Sequence, residues 1–203
     1  ILSGPKFALL RPEFCKARPI ALLGRDRYDG DIRRILVSFG GADPFDLTTL
    51  VLEEILESGI GAMVDVVLGG DARSVSRMRE NLEKLPLSTL FTDIDDMATL
   101  MTEADLAIGA GGTTSWERCC MGLPSLVITV STNQELITRN LSEMGAVEHL
   151  GFYDQLEKSN VSRAIQELDS NPERWNAMSY AAREICDGRG TTRLLDNLFQ
   201  LLY

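Results

Sequence analysis

The sequence has a single histidine, His149, among 203 residues. That scarcity, with no H-E-x-x-H and no Cys/His cluster, excludes the usual zinc sites. No G-x-S-x-G elbow marks a serine hydrolase, and no G-x-x-x-x-G-K-[ST] run marks a P-loop. Cysteine is thin as well. Cys15, Cys119, Cys120 and Cys186 form no C-x-x-C pair. As neighbours on a helix, Cys119 and Cys120 diverge by about 100° and cannot grip one metal. The four read as reduced thiols of a cytoplasmic protein. Basic residues are outnumbered, 20 Lys and Arg against 30 Asp and Glu, for a net charge of −10. No basic stripe exists to displace the counterions of a nucleic acid, and an anionic membrane surface is equally disfavoured. No apolar run approaches the roughly 20 residues that span a bilayer, and no signal peptide is visible. We therefore expect a cytoplasmic protein without membrane insertion. The chain opens on Ile1 instead of Met, and we read it as part of a longer protein.

What is present is the composition of a soluble globular domain, 44% hydrophobic and 25% charged. The length fits one α/β domain with a helical appendage. Residues 1–30 contain Pro5, Pro12 and Pro19 without clear periodicity and read as a linker from a domain outside the sequence. Strand-like apolar runs follow at Ile35–Phe39, Met63–Leu68, Thr89–Thr92, Leu106–Ile108, Leu126–Val130 and Ala146–Leu150. Helical stretches lie between most of them, over 44–58, 72–84, 95–102, 113–121 and 133–144. This alternation predicts a Rossmann-like, doubly wound α/β domain over 31–170, with a parallel sheet of about six strands covered on both faces. Residues 171–203 read as C-terminal helices packed on it, opened by the Asn171-Pro172 cap and interrupted by Gly188 and Gly190 before Thr192–Leu202.

In such a sheet, ligands bind outside the carboxyl ends of the strands, and several segments fall there. Gly109-Ala-Gly-Gly-Thr-Thr-Ser-Trp-Glu117 joins a strand to a helix. Its glycines permit close backbone approach, and the helix start offers free N–H groups to an anion. Glu117, about one turn into the helix, would repel phosphate but suits a pair of ribose hydroxyls. A phosphate-seeking backbone followed by a diol-seeking carboxylate reads as a nucleotide-diphosphate site. In Ser38-Phe-Gly-Gly-Ala-Asp-Pro44, Gly40 and Gly41 free the backbone, and Asp43 either serves the ligand or caps the next helix. Beyond the third strand, the backbone at Ile94 can pair with a base edge and Met97 can pack on its ring, unless both belong to the core. Asn133 and Gln134 follow the fifth strand, and their amides suit sugar hydroxyls or acetamido groups, with helix capping as the alternative. Asp93, Asp95 and Asp96 more naturally begin a helix than hold Mg²⁺. No metal, no cofactor and no general base of the chain's own is expected.

Taken together, Phe39–Pro44, Ala104–Glu117, Gly122-Leu-Pro and Asn133-Gln134 resemble the C-terminal half of the UDP-sugar hydrolases of the pseudaminic acid pathway. That family cleaves UDP-2,4-diacetamido-2,4,6-trideoxy-β-L-altropyranose and belongs with the two-domain GT-B glycosyltransferases, near the peptidoglycan N-acetylglucosaminyl transferase. Leu9-Leu-Arg-Pro-Glu-Phe14 is similar to the segment joining the family's two domains, and the likeness covers roughly residues 7–150. The resemblance implies that Gly40, Gly41 and the backbone of Gly111, Gly112, Thr113 and Thr114 face a diphosphate. It implies that Glu117 holds the ribose, Ile94 the uracil, and Asn133 with Gln134 the sugar. The family's catalytic histidine lies in its N-terminal domain and has no counterpart here. The implied partners are the UDP-sugar and that N-terminal domain.

Overall fold

The computed structural model describes the chain apart from residues 1, 42, 70–74, 76, 77, 81, 84, 86 and 203, and apart from the side chains of 201 and 202. Six strands, β1 (Arg34–Ser38), β2 (Met63–Leu68), β3 (Ser88–Thr92), β4 (Leu106–Ala110), β5 (Ser125–Thr129) and β6 (Glu148–Phe152), form one sheet in the order β3-β2-β1-β4-β5-β6. Every pairing is parallel. This is the doubly wound order, built outward in both directions from β1 and β4.

The strands are legible as apolar runs because the sheet is covered on both faces. Ile35, Val37, Leu106, Ile108, Leu126 and Ile128 point to one core, and the intervening Leu36, Ala107 and Val127 point to another. The first core is closed by α2 (Leu47–Ser58), α6 (Asn160–Asp169) and α7 (Pro172–Ile185). Trp175 of α7 is fully buried there, stacked on Tyr28 at 3.7 Å between ring centroids. Its indole N–H donates to Asp105 O at 2.9 Å. The second core lies under α1 (Pro12–Arg25), α3 (Met97–Glu103), α4 (Thr114–Cys120) and α5 (Thr132–Glu143). A last amphipathic helix, α8 (Gly190–Leu202), packs against the N-terminal segment so tightly that a Cβ on Gly190 would lie 2.2 Å from Ala8 O. No helix among the described residues is long and apolar enough to cross a membrane.

Two elements differ from the sequence expectation. The stretch 1–30 contains a full helix, α1, where no periodicity was visible. Pro12 occupies its first turn, where a missing N–H costs nothing. Pro19 lies inside it, and tertiary contacts outweigh that local cost. Phe14, Ala21 and Arg25 are buried, Arg25 Nη2 donates to Met101 O at 2.6 Å, and Arg18 Nη2 donates to Arg183 O at 2.8 Å. The sixth strand starts at Glu148 instead of Ala146, because Ala146 and Val147 are buried where the chain turns out of α5. The helix expected over 72–84 lies largely outside the described residues.

Candidate functional site

The chain leaves β1 toward β2 and leaves β4 toward β5, so the switch point of the sheet lies between two strands that are neighbours. The carboxyl ends diverge there and open a crevice. A cleft of about 250 Å³ occupies this place, lined by Arg11, Ser38, Gly40, Gly41, Val67, Leu68, Gly69, Asp93, Ile94, Met97, Thr114 and Glu117. Four strand-end segments and the segment before α1 thus meet around one opening.

Glycine makes the floor possible. At Gly109 a Cβ would stand 2.1 Å from Ser38 O, its register partner in β1. At Gly69 a Cβ would stand 2.3 Å from Gly41 O, to which the Gly69 N–H donates at 3.1 Å. The loops after β1 and β2 are therefore held backbone to backbone. Left-handed backbone gathers around the same rim, at Gly40 (φ 89°), Gly112 (φ 111°), Asp43 (φ 34°), Asp46 (φ 54°) and Asp93 (φ 50°). Aspartate tolerates this region better than most residues, and such strain clusters at functional sites.

Of the residues singled out from the sequence, Gly40, Gly41, Ile94, Met97, Thr114 and Glu117 line the cleft. Glu117 is half-buried on its wall. Burial raises the carboxyl above the ordinary glutamate value, Arg11 and Arg118 draw it back, and Glu13 adds to the rise. Asp43 turns away toward α2. Its two oxygens accept from Leu47 N at 3.0 Å and Thr48 N at 2.9 Å. Helix capping, one of its two readings, is what its side chain does, and the helix begins at Leu47 after a turn at Pro44 and Phe45.

Gly111, Gly112, Thr113, Asn133 and Gln134 sit on the other side of the start of α4. Gly111 is packed against α5, where a Cβ would meet Thr138 Oγ1 at 2.4 Å and Gln134 Cβ at 3.2 Å. Gln134 Oε1 accepts from Val130 N at 3.2 Å, while Asn133 and Thr113 are exposed. These five form a shelf beside the cleft and are not part of its lining.

Sequence reasoning did not select Arg11, Ser38, Gly69 or Asp93 for the site. Arg11 precedes α1, pairs with Glu13 at 2.8 Å and donates to Asp95 O at 2.7 Å, which ties the incoming segment to the loop after β3. The signal for Gly69 and Asp93 was their position directly after a strand. His149 is the second residue of β6, and its Nε2 lies 2.9 Å from Thr129 Oγ1. Both belong to β5 and β6, beyond the cleft lining.

Comparison with known proteins agrees with this architecture. The model of the glycosyltransferase family 28 C-terminal domain matches residues 35–189. The spore coat polysaccharide biosynthesis protein SpsG of Bacillus subtilis (strain 168) is 29% identical over 206 residues, covering 98% of this chain and 59% of that protein. The uncharacterized protein MJ1062 of Methanocaldococcus jannaschii is 35% identical over 128 residues, 62% of this chain and 26% of its own length. The chain therefore spans only part of each of these relatives. Among solved structures, MurG of Acinetobacter baumannii superposes with a TM-score of 0.67 at 18% identity, over 89% of this chain and 53% of that one. The UDP-GlcNAc 2-epimerase of Neisseria meningitidis, bound to UDP-GlcNAc, gives 0.63 at 16% identity, over 93% and 47%. These two share the GT-B fold of the sheet and its helices. With the family model covering most of the sheet and the helices that follow it, the chain belongs to the glycosyltransferase family 28 C-terminal domain family.

Proposed function

We propose that the cleft is the nucleoside-diphosphate site of a nucleotide-sugar enzyme and that its nucleotide is UDP. The observation that carries this reading is the convergence of three chemistries in one opening at the switch point. Gly40, Gly41 and Gly69 bring bare backbone to the surface, as a diphosphate requires. Ile94 and Met97 offer an apolar wall to a flat base. Glu117 presents an acceptor to paired ribose hydroxyls. On this reading the backbone of Gly111, Gly112 and Thr113 also faces the diphosphate, Asn133 and Gln134 face the sugar, and Arg11 brings a cation to the diphosphate.

For the whole protein we propose a hydrolase. Water, activated by a histidine of an N-terminal domain, attacks the anomeric carbon of a UDP-diacetamido-trideoxy sugar. The anomeric C–O bond breaks and UDP departs with the electron pair. This chain's part is electrostatic: it stabilises the leaving diphosphate. The motif resemblance favours a hydrolase and pseudaminic acid biosynthesis. Family membership and the likeness to MurG favour a transferase equally, with a sugar hydroxyl in place of water. The relation to a spore-coat polysaccharide protein supports a role in surface glycan synthesis under either.

Calorimetry with UDP, UMP and uridine, without divalent metal, tests the site. UDP should bind more tightly than UMP, because the diphosphate meets the glycine loops. Equal affinities, or binding that requires Mg²⁺, would overturn the assignment. Product analysis of the full-length protein, with water alone and with added sugar acceptors, separates hydrolase from transferase.

A further inference from the structure

Arg118 is the residue after Glu117, and its environment is unusual for a cation. It is 2% exposed, and its Nε is buried with no hydrogen-bond partner. Nη2 donates to Ala110 O at 2.8 Å and to Ser115 Oγ at 3.1 Å. Nη1 lies 3.1 Å from where a Cβ of Gly109 would stand. The guanidinium is thus wedged between the end of β4, whose Gly109 pairs with the lining residue Ser38, and the first turn of α4, which carries the lining residues Thr114 and Glu117. No ion pair joins it to a carboxylate among the described residues, and the charged group that acts on it there is Glu117, whose own carboxyl is partly desolvated. Burial lowers the guanidinium to about 10, so it stays charged at neutral pH.

A buried charge without an ionic partner is costly, and proteins usually replace or pair it. Here the fork is half used. One nitrogen fixes the carbonyl at the start of the Gly111–Thr114 loop and the hydroxyl at its end, and the net positive charge is left between Gly109, whose register partner Ser38 lines the cleft, and the helix start that carries Thr114 and Glu117. An anion seated in the cleft would be the missing partner.

We propose that Arg118 is a positioning residue for the diphosphate: it holds the Gly111–Thr114 loop in shape and supplies, from beside residues that line the cleft, the positive charge that selects a doubly charged ligand over a neutral one. This rests on the cleft being the diphosphate site. The role needs no contact with the ligand, because a charge in a poorly screened interior acts over several ångströms.

The test uses the purified protein and three probes, UDP, inorganic pyrophosphate and uridine, with Arg118→Met and Arg118→Lys. In Arg118→Met, UDP and pyrophosphate should both bind about tenfold more weakly, while uridine binding stays within a factor of about two. Arg118→Lys keeps the charge but loses the fork and should recover part of the pyrophosphate affinity. Equal weakening of uridine and UDP would assign Arg118 a structural role alone and overturn the proposal, as would unchanged pyrophosphate binding in Arg118→Met. Wild-type protein that binds pyrophosphate but prefers no uridine nucleotide would refute the nucleotide reading and leave the Arg118 proposal standing. Wild-type protein that binds none of the probes would refute both.

Discussion

Glu117 offers a test in which stability and binding move in opposite directions. Its carboxyl is half-buried, and burial raises it above the ordinary glutamate value. An acid whose native pKa exceeds its unfolded one holds more protons when folded. Its contribution is favourable below the unfolded value and is lost as pH rises through the folded value, where the buried group must ionise. In Glu117→Gln that loss disappears. The unliganded variant should therefore melt no lower than wild type at neutral pH, and its stability should be flatter between the glutamate range and neutrality. Ligand binding runs the other way. Hydrogen bonds from ribose hydroxyls to a carboxylate contribute roughly 1.5–3 kcal/mol and those to a neutral amide oxygen roughly 0.5–1.5 kcal/mol, so UDP should bind about 5- to 15-fold more weakly to the variant, which keeps an acceptor. Because those hydroxyls favour the ionised carboxylate, wild-type affinity relative to the variant should rise with pH through the Glu117 titration. Calorimetry with UDP and 2′-deoxy-UDP across that pH interval, alongside thermal melts, reads all of these quantities. If the substitution weakens both nucleotides by the same factor, the ribose assignment is wrong. If the unliganded variant melts well below wild type, Glu117 serves the fold and not the ligand.

Two further substitutions address the frame that carries the site. Gly109→Ala places a methyl group 2.1 Å from Ser38 O; backbone cannot rotate away, so the β1–β4 junction must part, costing about 1–3 kcal/mol or more, and a circular dichroism melt equal to wild type would refute this. Trp175→Ala empties a fully buried site and breaks the indole bond to Asp105 O; a loss of about 3–5 kcal/mol is expected, visible as a lower urea midpoint with an unchanged slope, and a midpoint within error of wild type would show that the two cores do not depend on this ring.

The sheet was legible in the sequence for a simple reason. A parallel strand buried on both faces is largely apolar, so Ile35–Val37, Leu106–Ile108 and Leu126–Ile128 stand out in any short window, and Val64–Leu68 does so despite the buried Asp65. Where every residue is only half-buried, as along β6, the pattern weakens, and the apolar pair Ala146-Val147 draws the boundary two residues early. The helix α1 was hidden because three prolines act as breakers in local reasoning, whereas the contacts that keep it helical, Phe14 in the core and Arg18 and Arg25 on carbonyls of other helices, span 76 to 168 residues.

The same division runs through the site. Gly40, Gly41, Thr114 and Glu117 were visible because their role is local: each stands at a fixed offset from a strand end or a helix start. Arg11, Gly69 and Asp93 reach the cleft only because the order β3-β2-β1-β4 sets the ends of four strands and the segment before α1 around one opening. Asp43 and Arg118 show the limit of residue type as a guide. A carboxylate beside two glycines suggested a ligand contact, but the loop turns its oxygens to the N–H groups of Leu47 and Thr48. An arginine between Glu117 and two cysteines reads as one more charge on a helix face. The short path from Ala110 to Ser115 instead folds its fork under the loop. Which way each charged side chain faces here is decided by the backbone groups within its reach, N–H groups for Asp43 and a carbonyl for Arg118.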